Sequence, residues 1–232
     1  MLLSGTVYAH KYVIIIPIWD SSETPAGGTG SLQQIVVAKS GGDYTDIQKA
    51  VDYASRQATP SRPWTVFIAP GIYTIDKPLF LKSNIHLIGS GKFATVLKAS
   101  IYSSIDNYTS SLVYSDTEVG ETQPGNIVIS HLALRNISSN GKYVTGIHFR
   151  NRSLRVDDVD VHVESSHPDS RASGIFSDSS NGLITNLRIK SLGVVSGYGI
   201  WNNNPCLGAL FLGGHVHSVY LNFSSSGLIL LF

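Results

Sequence analysis

Apolar residues are spaced in two different ways along this chain, and the change between them organises it. Near the start, Ile35-Val36-Val37-Ala38 has the pattern of a buried strand, followed by a turn at Ser40-Gly41-Gly42-Asp43. Ile47, Ala50, Val51 and Ala54 then recur at helical spacing, which predicts a helix over about 45–57 with one apolar face. Thr45 is the expected N-cap, with Gln48 three residues later at capping-box spacing, and Pro60 and Pro63 end the helix. Trp64-Thr65-Val66-Phe67-Ile68 reads as the next strand, Ala69-Pro70-Gly71-Ile72-Tyr73 as a turn, and Ile85-His86-Leu87-Ile88-Gly89 as a further strand. Beyond this point no helical period of any length recurs.

A repeat takes over instead. The pattern apolar-x-x-apolar-x-apolar occurs at Ile129-x-x-Leu132-x-Leu134, Val156-x-x-Val159-x-Val161, Ile184-x-x-Leu187-x-Ile189 and Val216-x-x-Val219-x-Leu221, in steps of 27, 28 and 32 residues. Between these blocks run Ser111-Leu112-Val113, Gly146-Ile147-His148, Gly174-Ile175-Phe176 and Gly199-Ile200-Trp201. Two strand signals per unit, short turns and a period in the high twenties describe one coil of a β-helix. The period is too long for a leucine-rich repeat, and no helix is left for an ankyrin or TPR unit. The expected fold is therefore all-β: a right-handed parallel β-helix with a short N-terminal capping helix. Chance alternation in a β-sandwich is the competing reading.

Residues 1–31 form an N-terminal arm and a Gly-rich joint, Pro25 to Ser31, ahead of a β-helix domain over 32–232. The apolar run Val13 to Trp19 falls far short of the about 20 residues that span a bilayer, so no membrane span is expected. Gly227-Leu228-Ile229 has the form of another coil's opening strand, and the last coil is incomplete at Phe232. An open coil end is an aggregation template, so cover by a second copy or by further chain is expected there.

Composition adds limits. Lys and Arg number 17 against 16 Asp and Glu, a formal charge of +1, which provides no basic field for phosphates, so nucleic acid is not an expected partner. The single cysteine, Cys206, can build neither an internal disulfide nor a cysteine zinc site by itself.

Gly42 to Val51, Ala69-Pro70-Gly71-Ile72-Tyr73 and Ile88-Gly89-Ser90-Gly91 closely resemble the opening of pectinesterase-like proteins, within the pectin lyase-like superfamily of parallel β-helices. The resemblance is strong over about 35–98 and generic afterwards. It extends to the opening of bacteriophage tail-fibre and tail-spike β-helices, which implies a homo-oligomer, a trimer by that analogy, in a virion tail or outside the cell. The pectinesterase signatures (a Gln-Asp pair, an Asp-Phe-x-Phe-Gly segment, a Leu-Gly-Arg-x-Trp segment) are absent from the repeat region. Clustered aspartates like the calcium ligands of pectate lyases are also missing, because adjacent Asp157 and Asp158 point to opposite faces of a strand. No metal and no cofactor is implied.

Two outward columns are the candidate sites. With Val159, Val161 and Val163 inward, Asp160, His162 and Glu164 share the outer face. Aligning the repeats puts Ala133, Asp160, Arg188 and Tyr220 in one column and Arg135, His162, Lys190 and Asn222 in the next. Such a strip suits sugar hydroxyls, and in an enzyme Asp160, Glu164 and Arg188 are the catalytic candidates. The alternative is a ladder of opposite charges that holds the coils in register. The second column is Val113, His148, Phe176 and Trp201, just past the inward Leu112, Ile147, Ile175 and Ile200. Exposed aromatics are platforms for sugar rings or for a partner subunit. The expected ligand-binding set is thus His148, Phe176, Trp201, Asp160, His162, Arg188 and Lys190. The preferred function is a tail-fibre or tail-spike-like adhesin for a cell-surface polysaccharide; the alternative is a lyase or hydrolase that degrades one.

Overall fold

A computed structural model describes residues 33–116, 126–178, 180–202, 209–216, 219–221 and 229–231, with side chains as far as Trp201 except that of Asn181. The N-terminal arm, Cys206, Asn222 and the apolar segment 227–228 lie outside the described residues. The chain opens with β1 (Gln34–Val37), α1 (Ile47–Gln57), β2 (Trp64–Ile68), β3 (Gly71–Ile75), β4 (Leu79–Phe80), β5 (Ile85–Gly89) and β6 (Thr95–Ala99). It continues with β7 (Ser111–Ser115), β8 (Asn126–Ser138), β9 (Tyr143–Arg150), β10 (Ser153–Ser165), β11 (Arg171–Asp178) and β12 (Asn181–Leu192). The last strands are β13 (Ser196–Asn202), β14 (Ala209–Val216), β15 (Val219–Leu221) and β16 (Ile229–Leu231).

Every pairing between these strands is parallel, and partners come from successive turns of one coil. One sheet has the order β1-β2-β5-β8-β10-β12-β14-β16, with β3 and β6 continuing onto β8; the other has β15-β13-β11-β9-β7-β4. This is a parallel β-helix. Ile129, Val156, Ile184 and Phe211 occupy one register position, in steps of 27, 28 and 27 residues.

Each long strand of the first sheet is folded over at a left-handed residue. His131, Asp158 and Asn186 have φ of 55°, 52° and 50° and mark the corner in β8, β10 and β12. Such backbone is uncommon outside glycine and is tolerated best by Asn, Asp and His, the residue types found here. The corner gives each turn three legs around a core that includes Val156, Val159, Val161, Leu134, Leu187 and Ile189, all buried.

The second sheet approaches the first most closely at glycine. A Cβ on Gly146 would lie 2.6 Å from Val161 Cγ1, and one on Gly174 would overlap Ile189 Cγ2. The repeated Gly-Ile pair thus brings the backbone against the opposite sheet, and Ile147, Ile175 and Ile200 fill the core at 1%, 0% and 3% exposure.

Four local expectations are corrected. The helix starts at Ile47, and Asp46 rather than Thr45 is the N-cap, its carboxylate accepting from Lys49 N at 3.0 Å. Gln48 does not close a capping box: its Oε1 accepts from Phe80 N at 2.8 Å and its Nε2 donates to Phe80 O at 3.2 Å. It thereby ties the cap to the first strand of the second sheet. Gly71-Ile72-Tyr73 is not a turn but the start of β3, in register with β6. The fourth copy of the repeat is also misplaced, because Val216 ends β14 on the first sheet while Val219 and Leu221 belong to β15 on the second.

Replacing Gly174 by Ala should cost about 1–3 kcal/mol through overpacking against Ile189. Thermal unfolding should show a Tm lower by several degrees; an unchanged Tm would mean that the sheets do not approach as closely as described.

Candidate functional site

The outward residues of the second sheet form a continuous ladder of rings. In-register pairing places Phe80 beside Tyr114, Tyr114 beside His148, His148 beside Phe176, and Phe176 beside Trp201. Ring centroids are 5.4, 5.7, 4.6 and 5.6 Å apart in that order. These separations lie within the range of favourable stacked and edge-to-face contacts. Tyr108 stacks on Tyr114 at 4.4 Å, and Tyr198 meets Trp201 edge-on at 4.7 Å. The rings are half-buried, Tyr108 is exposed, and the backbone of Tyr220 continues the register beside Trp201.

Val113 does not belong to this column. It pairs with Ile147 and is buried, and the outward position is taken by Tyr114. Ser111-Leu112-Val113 lacks the glycine that fixes the other copies, so the alignment slips by one residue. Phe80, Tyr108, Tyr114 and Tyr198 were missed for related reasons. They lie in a two-residue strand, in a short 3-10 turn over Tyr108–Ser110, beside the motif, or before the motif's glycine.

Polar groups gather around the middle of the ladder. The Tyr114 hydroxyl donates to Asp116 Oδ2 at 3.1 Å, and Asn151 Nδ2 donates to Asp116 Oδ1 at 3.4 Å. Arg150 Nε pairs with Asp178 Oδ2 at 3.3 Å. Behind them Arg152, 1% exposed, donates to the Ser83 hydroxyl and the Asp116 carbonyl. Asp116, Arg150 and Asp178 stand at or beyond strand ends, where no periodic signal marks them.

Burial pushes His148 down to about 4, with Arg150 adding to the shift and Asp178 and Asp116 opposing it. The ring is therefore neutral near pH 7. Burial also pushes Tyr114 up to about 12, assisted by the charge and hydrogen bond of Asp116 and by Tyr108, against Arg150. This face offers apolar ring surfaces flanked by donors and acceptors, with Tyr114 fixed as a hydrogen-bond donor.

The other column lies on the first sheet. Asp160 is paired with Ala133 and Arg188, and His162 with Arg135 and Lys190, as the repeat alignment expects. The fourth position of the Asp160 column is His215 and not Tyr220. Asp160, 3% exposed, is clamped by two guanidinium groups. Arg188 Nε donates to its Oδ2 at 3.0 Å, Arg135 Nη2 stands 3.0 Å from that oxygen, and Arg135 Nη1 donates to Oδ1 at 3.2 Å. Burial raises its pKa, but the hydrogen bonds and charges of Arg188 and Arg135 outweigh that and hold the carboxyl below its usual range. A carboxylate so occupied is a structural anion and a poor proton acceptor. His162 Nε2 lies 3.1 Å from Glu164 Oε2. The structure thus keeps Asp160, His162, Glu164, Arg188 and Lys190 together, but on a different sheet from His148, Phe176 and Trp201. Among the described residues no cluster of three or more His, Cys, Asp or Glu side chains forms a metal site. No described helix is long and apolar enough to cross a membrane.

Residues 38–209 match the family described as rhamnogalacturonase A/epimerase, pectate lyase-like. The chain belongs to this family. No curated protein sequence matches this rhamnogalacturonase A/epimerase family member. Among solved structures it is similar to the A-module of the mannuronan C-5 epimerase AlgE6 of Azotobacter vinelandii, with 19% identity and a TM-score of 0.47. That match covers 78% of this chain and 53% of the module, so the chain spans about half the module's length. It is also similar to the ORF18 protein of Geobacillus virus E2, with 15% identity, a TM-score of 0.43, and coverage of 81% and 41%. The pectin methylesterase PemA of Erwinia chrysanthemi has 12% identity, a TM-score of 0.40, and coverage of 81% and 80%.

Unfolded histidine titrates near 6.5, so between that pH and about 4 the unfolded chain binds a proton that folded His148 refuses. The stability this gives is complete above 6.5 and is lost as the pH falls toward 4. His148→Phe, which preserves the ring stack, should flatten the decline of Tm across that window, and an unaltered slope would contradict the burial described. Asp160→Asn should lower stability by about 1–3 kcal/mol in chemical denaturation, since two guanidinium groups lose their anion; no loss would mean that the clamp is not formed.

Proposed function

We propose that this family member is a polysaccharide-binding β-helix whose aromatic ladder is the platform for the sugar chain. The observation that carries the reading is the unbroken ring column from Phe80 to Trp201, bordered by Asp116, Arg150, Asn151 and Asp178. Sugar rings present C–H faces to aromatic surfaces and hydroxyls at their edges, so they need rings and polar groups side by side. A ladder along the coil axis suits a linear polymer better than a compact ligand. The family's naming for enzymes of polysaccharides points to the same ligand class.

Within this reading the chain acts as a tail-fibre or tail-spike-like adhesin for a cell-surface glycan, in an extracellular or virion assembly and as a homo-oligomer. The resemblance of its opening segment to such proteins supports this form. The engaged state of Asp160 argues against the catalytic set Asp160, Glu164 and Arg188. A second reading, a lyase or hydrolase, is favoured by one observation: Asp116, Arg150 and Asp178 lie close enough to His148 for their charges to act on its ring.

A glycan panel assayed for both binding and product formation separates the two. The adhesin reading expects binding without new reducing ends or unsaturated products. It also expects affinity reduced about tenfold in Trp201→Ala and largely kept in Trp201→Phe. Turnover that disappears in Asp116→Asn or Asp178→Asn would establish the enzyme instead, and retained binding in Trp201→Ala would remove the ladder from either account.

A further inference from the structure

One long edge of the coil carries apolar surface that folding leaves unused. Ten large apolar side chains are exposed among the described residues. Six of them, Tyr102, Ile105, Ile137, Leu192, Val194 and Val195, occur where the chain passes from the first sheet to the second. Every turn crosses at this corner, so residues far apart in sequence gather on it. Ile137 and Leu192 flank Glu164 in one outward column. Ser103 bridges Tyr143, and Arg171 is close enough for its charge to act on Asp106. Arg171 in turn pairs with Ser196, the neighbour of Val195. The connection over 100–110 therefore leans across later turns toward the two valines.

The exposure is built into the backbone. Val194 N donates to Ser170 Oγ at 2.8 Å and Val195 N to the Ser170 carbonyl at 2.9 Å. A Cβ on the preceding Gly193 would overlap the Ser196 carbonyl oxygen. Both valine side chains are held outward, 62% and 56% exposed. Together the six side chains present roughly 500 Å² of apolar surface, more than half of the about 800 Å² that each partner buries in a standard protein interface.

Charge and shape choose the occupant. The strand ends and connections around the patch supply Asp106, Glu164 and Asp169 against Lys142, Arg171 and Lys190, three of each sign. A balanced rim has no excess of cations to draw an anionic membrane, yet it matches a copy of itself turned about a two-fold axis. All of the six except Tyr102 are aliphatic, and branched aliphatic groups lack the flat faces on which sugar rings stack.

We infer that this edge is the contact between copies of the chain: a second copy docks its own corner there, with Ile105, Val194 and Val195 at the centre and opposite charges facing each other around the rim. The inference gives a surface to the homo-oligomer of the reading above and is independent of what the ladder binds.

Light scattering on the whole chain tests it, at about 50 μM, where a micromolar contact is filled. The mass should be a multiple of 25.0 kDa and should persist at about 1 M salt, since screening acts on charges and not on an apolar centre. Ile105→Ser combined with Val194→Ser and Val195→Ser should raise the dissociation constant at least tenfold and bring the mass toward 25.0 kDa. Val195→Asp alone, which sets like charges against each other across the contact, should do the same. Ile72→Ser with Phe93→Ser removes comparably exposed apolar side chains elsewhere and should leave the mass unchanged. Each variant should keep the parent's circular dichroism.

A parent chain of 25.0 kDa would overturn the inference. So would a multimer that survives both patch variants, or one that the control pair dissolves as readily, because either places the contact elsewhere. Loss of the parent's circular dichroism in both patch variants would make these side chains part of the fold and remove the interface. None of these outcomes bears on the sugar-binding reading, which Trp201→Ala scores on the glycan panel.

Discussion

The pairing of each turn's backbone with the turn beneath it is the constraint from which the other features follow. Parallel rungs in strict register put residue n directly beside residue n plus about 27, so side chains are arranged in columns as much as along the chain. Inward columns become an apolar shaft of Val, Ile and Leu. Outward columns become ladders whose chemistry is set by a single position of the repeat. The same rule that buries Ile147, Ile175 and Ile200 together therefore brings His148, Phe176 and Trp201 together on the surface.

The rest of the structure protects this register. Left-handed corners at His131, Asp158 and Asn186 fold the first sheet at the same point in three turns. Buried Asn136 bridges strands and loops: its Nδ2 donates to the Ile101 and Thr145 carbonyls at 2.9 Å each and its Oδ1 accepts from Ile101 N at 2.8 Å. At the N-terminal end α1 presses Ile47, Ala50, Val51 and Ala54 onto the shaft, while Gln48 grips the backbone of Phe80, the first ring of the ladder. The helix thus seals the core and anchors the candidate site with adjacent residues of one turn.

What could be read from the sequence reflects how much each feature repeats. Val156, Val159 and Val161 recur in kind in the neighbouring turns, so coil, core and the Asp160 and His162 columns were legible. The Val216, Val219 and Leu221 block imitates the repeat while crossing from one sheet to the other, because spacing alone carries no mark of a corner. Tyr114 was hidden by the loss of one glycine, which moved the apparent column onto Val113. Asp116, Arg150 and Asp178 occur at strand ends, where residues answer to local contacts and not to a period. The occupied state of Asp160 was invisible for another reason: whether a carboxylate is free depends on rotamers of Arg135 and Arg188 that no pattern encodes.

The most direct measurement is a crystal structure of the whole chain soaked with an oligosaccharide selected from a binding panel. The account predicts sugar rings lying along the axis of the coil, with pyranose faces over Phe176 and Trp201 and hydroxyls directed to Asp116, Arg150 or Asp178. Density for the sugar only elsewhere, with those rings bare or covered by another subunit, would contradict it.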